Sequence, residues 1–371
     1  MMEDAENMSK VHSLKSLIGK EVKKDVFTDK GLLLITEGTI LTESDVQSLV
    51  GHRVHRINVT DEGGVVEIDL GNGEIGENTP FARQLHQLLP GREVAEQYIS
   101  LIARTKDLFS IVTESYIPPL IQFTDSFFPL LDRALRNAGF FHQIYLIEGS
   151  DHYTYRHSIN VGILSSLIGR LLKRPHDEIV MLGQAGLLHD IGKMLVPPHI
   201  LMKPGRLTEE EYAIMKQHTV YGYELLQKME GIHPVMAECA LHHHERLDGS
   251  GYPHGRKGDE ISLESQIVAV ADVFDAICSD RVYKPKTSPF EAVKLLWKSA
   301  CAGELNPEIV TKFIHYITSL YIGKRAVLNN GDEVEVILVH PDEPMTPLVR
   351  RGEEYLDLRY NRLLWIDKML G

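Results

Sequence analysis

Gly186-Leu187-Leu188-His189-Asp190-Ile191-Gly192-Lys193 is the stretch from which the rest of the chain is read. Ile179, Leu182, Leu187 and Leu188 make it the end of an apolar helix. An imidazole and a carboxylate side by side at a buried helix end can both reach one metal ion, and the carboxylate can bridge to a second. Taken alone the pair is a weak signal, because a His-Asp at a helix end is more often an ordinary polar pair.

Four other segments carry the same residue types. His157 opens a helix whose apolar stripe is Ile159, Ile163, Leu167 and Leu171, about one turn away, so it faces inward. His218 shares a face with Tyr212, Met215, Gly222 and Leu225, in a helix introduced by the capping box Thr208-Glu209-Glu210-Glu211. His242-His243-His244-Glu245 leads into Arg246-Leu247-Asp248-Gly249-Ser250-Gly251-Tyr252-Pro253. Successive helical residues turn by about 100°, so three consecutive histidines cannot all face one core, although two at a helix end can converge on one ion. Asp272 and Asp275 lie in a helix that is apolar on most sides. An unpaired carboxylate there is costly, so a metal, a cation or a proton must compensate it. A satisfied core histidine explains any one of these segments. Five segments that turn five histidines and two aspartates inward suit instead a site for two ions bridged by a carboxylate. Twelve of the 18 histidines fall between His142 and His254, more than double an even scatter, and imidazole is the commonest metal ligand.

In their order, His157, His189-Asp190, Lys193, His218, His243-His244-Glu245, Asp248-Gly249, Gly251-Tyr252-Pro253 and Asp272 resemble the HD-GYP domain, a bacterial subgroup of the HD-superfamily metal-dependent phosphohydrolases. The resemblance covers residues 149–320. It implies an enzyme of second-messenger signalling, a phosphodiesterase acting on cyclic di-GMP: a metal-bridging hydroxide attacks phosphorus and releases linear pGpG, with a second cut to GMP left open. By the same resemblance His157, His189, Asp190 and Asp272 hold one divalent ion, and His218, His243 and His244 the other, with Asp190 bridging. Asp190 and Lys193 are the catalytic pair. Lys193, Tyr252, Arg281 and Lys284 face substrate, and Glu245 and Asp275 orient ligands from behind. Iron or manganese fits such histidine-rich ligation better than magnesium. Some members place a Glu four residues before the first histidine, for a third ion; here that position is Tyr153, so two ions are expected. The rival readings are a module that senses a cyclic dinucleotide with weak turnover, and a phosphohydrolase of another nucleotide. Degenerate sensors usually lose metal ligands or the Gly-Tyr-Pro loop, and both are kept here.

Composition narrows the partners. The chain has 371 residues, 43% hydrophobic and 25% charged, as in ordinary globular proteins. Its net charge of −13 and the lack of basic runs argue against duplex nucleic acid. The longest stretch without Asp, Glu, Lys or Arg is 13 residues, His157 to Gly169, whereas a membrane span needs about 18 or more. Three scattered cysteines, Cys239, Cys278 and Cys301, give no disulfide framework and suit a reducing, cytoplasmic setting.

The expected architecture is mainly α: an HD-type helical bundle over 149–320, a small β-rich module over 1–62, an acidic linker and helical connector over 63–148, and a C-terminal β-hairpin extension over 321–371. Val22–Phe27, Leu32–Thr36 and Val54–Val59 read as strands, and Thr42 with Asp45 starts a helix ended by Gly51. A short strand is also expected at Val65–Ile68. Val94, Tyr98, Leu101, Thr105, Leu108, Val112 and Ser115 form a heptad seam. Two uses stay open for this 93–115 helix: packing on its own domain, or a homodimer or signal-transmitting seam. Arg325–Leu328 and Glu333–Val339 flank Asn329-Asn330-Gly331-Asp332, a hairpin pattern.

Overall fold

The structure, a computed structural model, describes residues 17–27, 33–51, 54, 56–61, 64–69, 80–89, 91–137, 140, 143–144, 153–201, 203, 205–278 and 289–370. It is mainly helical, with a small β-rich part before the helices and a sheet after them. No helix among the described residues is long and apolar enough to cross a membrane.

The β-rich part runs β1 (Val26–Phe27), β2 (Leu33–Ile35), α1 (Glu43–Gly51), β3 (Arg56–Asp61) and β4 (Gly64–Asp69), with β1 antiparallel to β2 and β3 to β4. The first strands are shorter than their sequence pattern, because Glu21 and Val22 pair singly with Ile40 and Val59. Thr42 starts α1 as expected: its Oγ1 accepts from the Asp45 amide, and its own amide donates to the Asp45 carboxylate at 2.8 Å. This part has its own core of Leu17, Val22, Leu41, Leu49, Ile57 and Val59.

The connector comprises α2 (Pro80–Leu88), α3 (Arg92–Ser110), α4 (Leu120–Thr124) and α5 (Phe127–Arg136). The heptad seam lies on α3. Val94, Tyr98, Leu101, Thr105 and Leu108 are all buried within the chain, so the first of the two uses left open is the one observed. The helix stops at Ser110, short of the expected Ser115, because Ile111 leaves it and inserts into the core of the β-rich part.

A helical hairpin builds the centre of the molecule. α6 (Tyr153–Leu171) and α7 (His176–Leu188) are joined by a tight turn in which Lys173 takes φ 58°. The two helices touch backbone to backbone: a Cβ on Gly186 would stand 2.7 Å from the Val161 carbonyl oxygen. The hairpin returns the chain to its start, so His157, near the beginning of α6, and His189, just past α7, lie at the same end. A 3₁₀ turn (Ile191–Leu195) follows, then α8 (Pro198–Leu201), α9 (Glu209–Lys216), α10 (His218–Lys228), α11 (Pro234–His242), α12 (Leu263–Cys278), α13 (Pro289–Cys301) and α14 (Pro307–Ser319). The Thr208 capping box is present in both directions. The expected single helix through Tyr212 and Leu225 is divided at Gln217 into α9 and α10.

The C-terminal hairpin is β5 (Arg325–Leu328) and β6 (Glu333–Leu338). With β7 (Leu348–Arg351), β8 (Glu354–Asp357) and β9 (Ile366–Met369) it grows into a five-stranded antiparallel sheet of order β8-β7-β6-β5-β9. Ala326, Leu328, Val334, Val336 and Val349 join the same core as the helices.

Candidate metal centre

Five helix ends and faces converge at the open end of the α6–α7 hairpin. His157 comes from the second turn of α6, His189-Asp190 from the end of α7, His218 from the first residue of α10, His243-His244 from the end of α11, and Asp272 from α12. α10 reaches this point because Gly192 lets it. A Cβ on Gly192 would stand 2.0 Å from the His218 carbonyl oxygen and 2.3 Å from the Gly222 nitrogen.

The side chains fall into two groups. The ligand atoms of His157, His189 and Asp272 lie within 4.8 Å of one another, and so do those of Asp190, His218, His243 and His244. Asp190 stands between them, 1% exposed. Its Oδ2 is 3.2 Å from His189 Nε2 and 3.6 Å from His157 Nε2. Its Oδ1 is 3.3 Å from His218 Nε2 and 3.7 Å from His243 Nε2. Each oxygen of one carboxylate thus faces a different pair of imidazoles. Lys193 forms an ion pair with Oδ2.

Most of the imidazoles are aimed from behind. His189 donates Nδ1–H to the Gly186 carbonyl at 2.7 Å, His218 to Met215 at 2.7 Å and His243 to Ala240 at 2.9 Å. His157 donates instead to the Asp275 carboxylate at 2.7 Å. In His189, His218 and His243 this fixes the proton on Nδ1 and turns the Nε2 lone pair to the centre, the arrangement metal-binding histidines show; in His157 it turns Nε2 to the same place. His244 presents Nδ1 to Asp272, at 3.8 Å.

The donor set fits metal ions. His189 Nε2 and Asp190 Oδ1 are fully buried and have no hydrogen-bond partner, although buried polar atoms are otherwise nearly always satisfied. Burial pushes the His218 imidazole down to about 4 and those of His243 and His244 well below their ordinary value, so their lone pairs are free at neutral pH. Burial opposes ionisation of Asp190 and Asp272, but the cations and imidazoles around them prevail and hold both well below the usual carboxylate range. His157 behaves differently: burial would lower it, but hydrogen bonds to Asp272 and Asp275 outweigh burial and push it up to about 9.

In the metal-free protein these shifts contribute opposite pH dependences that meet near the ordinary imidazole value of about 6.5. A raised imidazole contributes stability below its unfolded pKa of about 6.5, and that contribution is lost as pH rises to about 9. The depressed imidazoles act in the opposite sense, their contribution present above about 6.5 and lost as pH falls toward 4. Thermal unfolding of chelator-treated protein across pH 4.5–9 is expected to trace these two dependences. A Tm that climbs steadily through pH 9 would contradict the charge assignment at His157.

Several expected residues take other places. His242 turns away, 3.1 Å from Glu238, as the 100° step requires for one of three. Glu245 was expected to orient a metal ligand, and the structure corrects this. Its two oxygens accept from the backbone amides of His254, at 2.7 Å, and Arg256, at 3.1 Å, so it pins the loop after Gly251-Tyr252-Pro253. Asp275 accepts from His157 Nδ1. Tyr252 lies over the centre, its ring 4.7 Å from that of His244. Arg281 and Lys284 lie outside the described residues. Tyr153 stacks flat on His157, rings 5.6 Å apart and 13° from parallel.

Other neighbours were not singled out from sequence. Lys216 at the end of α9 sits over Tyr212 and Tyr252, 5.3 and 5.8 Å from the ring centres. It brings a cation to the rim beside His218, and its place four residues after Tyr212 on one helix face was the available signal. Tyr98 and Asn160 stand behind His157, where no sequence signal pointed.

Residues 143–309 match the HD domain family. Within the matched segment His189 belongs to the first cluster, and Asp190 stands between the two. The chain is 37% identical over 206 residues to a cyclic di-GMP phosphodiesterase of Pseudomonas aeruginosa, covering 55% of this chain and 49% of that one. It is 44% identical over 183 residues to a cyclic di-GMP phosphodiesterase of Thermotoga maritima, covering 47% and 49%. A 3'3'-cGAMP-specific phosphodiesterase of Vibrio cholerae is 41% identical over 163 residues, covering 44% and 35%. The chain therefore spans about half the length of the first two relatives.

Proposed function

We propose that this protein is a phosphodiesterase that hydrolyses cyclic di-GMP at a centre of two divalent ions. The observation that carries the reading is Asp190, whose two oxygens face separate histidine clusters, with its buried Oδ1 and the buried His189 Nε2 left without a hydrogen-bond partner. His157, His189, Asp272 and Asp190 would hold one ion, and His218, His243, His244 and Asp190 the other. A histidine-rich set with bridging carboxylate suits iron or manganese. Bound there, two ions would supply positive charge for the phosphate oxygens and acidify a water.

The chain's own residues do the rest. Lys193 holds the Asp190 carboxylate ionised and adds a cation at the ring of ligands. Tyr252 closes one wall beside His244; burial pushes its phenol up, so it faces substrate as a protonated hydrogen-bond donor. Arg281 and Lys284 are assigned to substrate phosphate, for which a guanidinium offers planar, permanently charged contact. With Tyr153 stacked on His157, the place a third ion would need beside that ring is taken, and two ions per chain are expected.

The test is to incubate metal-loaded protein with cyclic di-GMP, and separately with 3'3'-cGAMP, and to separate the products. Linear pGpG from cyclic di-GMP at many turnovers per chain is the expected result, with slower cleavage of the mixed dinucleotide. Binding without turnover would convert the reading to a sensing module, and preference for 3'3'-cGAMP would overturn the substrate.

A further inference from the structure

His189, His218 and His243 are each oriented by a carbonyl three residues back in their own segment. Their aim is fixed locally, by the same backbone that carries them. His157 has no such support among its contacts. Its Nδ1–H goes to Asp275, 118 residues later, and the other Asp275 oxygen accepts from Asn160 Nδ2 at 2.9 Å. Asn160 Oδ1 in turn accepts from the phenol of Tyr98 at 2.7 Å. Tyr98 belongs to α3, in the connector, well before the HD match at residues 143–309. All four side chains are buried. The donors run in one direction, phenol to amide oxygen and amide nitrogen to carboxylate, and the same carboxylate accepts from the imidazole.

We propose that Tyr98 is a positioning residue for the metal centre, acting through Asn160 and Asp275 on His157. This rests on the two-ion reading above. The phenol fixes which end of the Asn160 amide faces Asp275. Without it, the amide oxygen is left buried and unpaired, and the amide loses the contact that holds its Nδ2 against Asp275. Asp275 then loses a donor and His157 its fixed aim. The connector helix is thereby joined to one of the two clusters and not to the other, since His218, His243 and His244 have no link of this kind among the described residues.

The experiment uses the full chain, stripped of metal and titrated with Mn²⁺ in a calorimeter. In Tyr98→Phe the ring stays and only the hydroxyl is lost. One of the two binding steps is expected to weaken by about tenfold, the low end of what outer partners of metal-bound histidines contribute, while the second step is unchanged. Asn160→Leu should weaken the same step. Leu101→Ala, a buried change on the same helix, serves as the control: it lowers Tm and leaves both affinities as they were. Equal weakening of both steps by Tyr98→Phe, no weakening, or the same selective loss in Leu101→Ala would overturn the positioning role while leaving the two-ion centre intact. Wild-type protein that takes up no Mn²⁺ would overturn the centre itself, and this role with it.

Discussion

Asp190→Ala is expected to remove bound metal and turnover together. Each Asp190 oxygen faces a different cluster, so on the two-ion proposal the variant would take a ligand from both ions at once. It also leaves Lys193 facing a set of buried imidazoles without its counter-charge. Metal charge contributes several kcal/mol to a phosphoryl transition state, and a loss of about 4 kcal/mol is a rate factor of about a thousand. Metal content and turnover measured on the same sample check it. The variant should retain less than half the wild-type metal and at most about a thousandth of its rate. Full metal occupancy with wild-type turnover would show that the clusters are not joined through this residue.

Gly192→Ala is expected to cost about 3 kcal/mol of folding stability, the upper part of the range for overpacking a close contact. The added methyl meets backbone, the His218 carbonyl at 2.0 Å and the Gly222 nitrogen at 2.3 Å. Neither can be relieved by turning a side chain, so the 3₁₀ turn and α10 must separate. Because α10 begins at His218, the same separation withdraws a ligand from the second cluster. Denaturant unfolding of the metal-free protein should show a lower midpoint with an unchanged slope, and metal titration should show a weaker second site. A midpoint within experimental error of wild type would mean that α10 does not approach the turn as closely as described.

What the sequence revealed, and what it hid, follows the range of the interactions. The Thr208 capping box, the start of α1 at Thr42 and the β5–β6 hairpin are decided within a few residues, and all three appear as read. The residues of the two clusters were also legible, because each sits at a helix end or on an inward face whose apolar period is local. The break at Gln217 was not legible; the apolar face runs through it unchanged. Glu245 was misplaced because a carboxylate beside two site histidines invites a role in holding them, whereas its partners are amides 9 and 11 residues on. Tyr98 carried no sequence signal for its place behind His157. Its link to Asn160 spans 62 residues, and within α3 it is only one more position of a heptad seam. That seam is periodic either way; only packing shows that the chain itself covers it. The pairing of the last strands, four residues each, into one sheet with the β5–β6 hairpin has no local signal.

The central claim is that one carboxylate joins two ions. Crystals of the wild-type protein grown with Mn²⁺ and measured at the manganese absorption edge test it most directly. The account predicts two anomalous peaks per chain, one on the His157–His189–Asp272 side of Asp190 and one on the His218–His243–His244 side, with Asp190 between them. A single peak, a peak away from Asp190, or a third fully occupied peak beside His157 would contradict it.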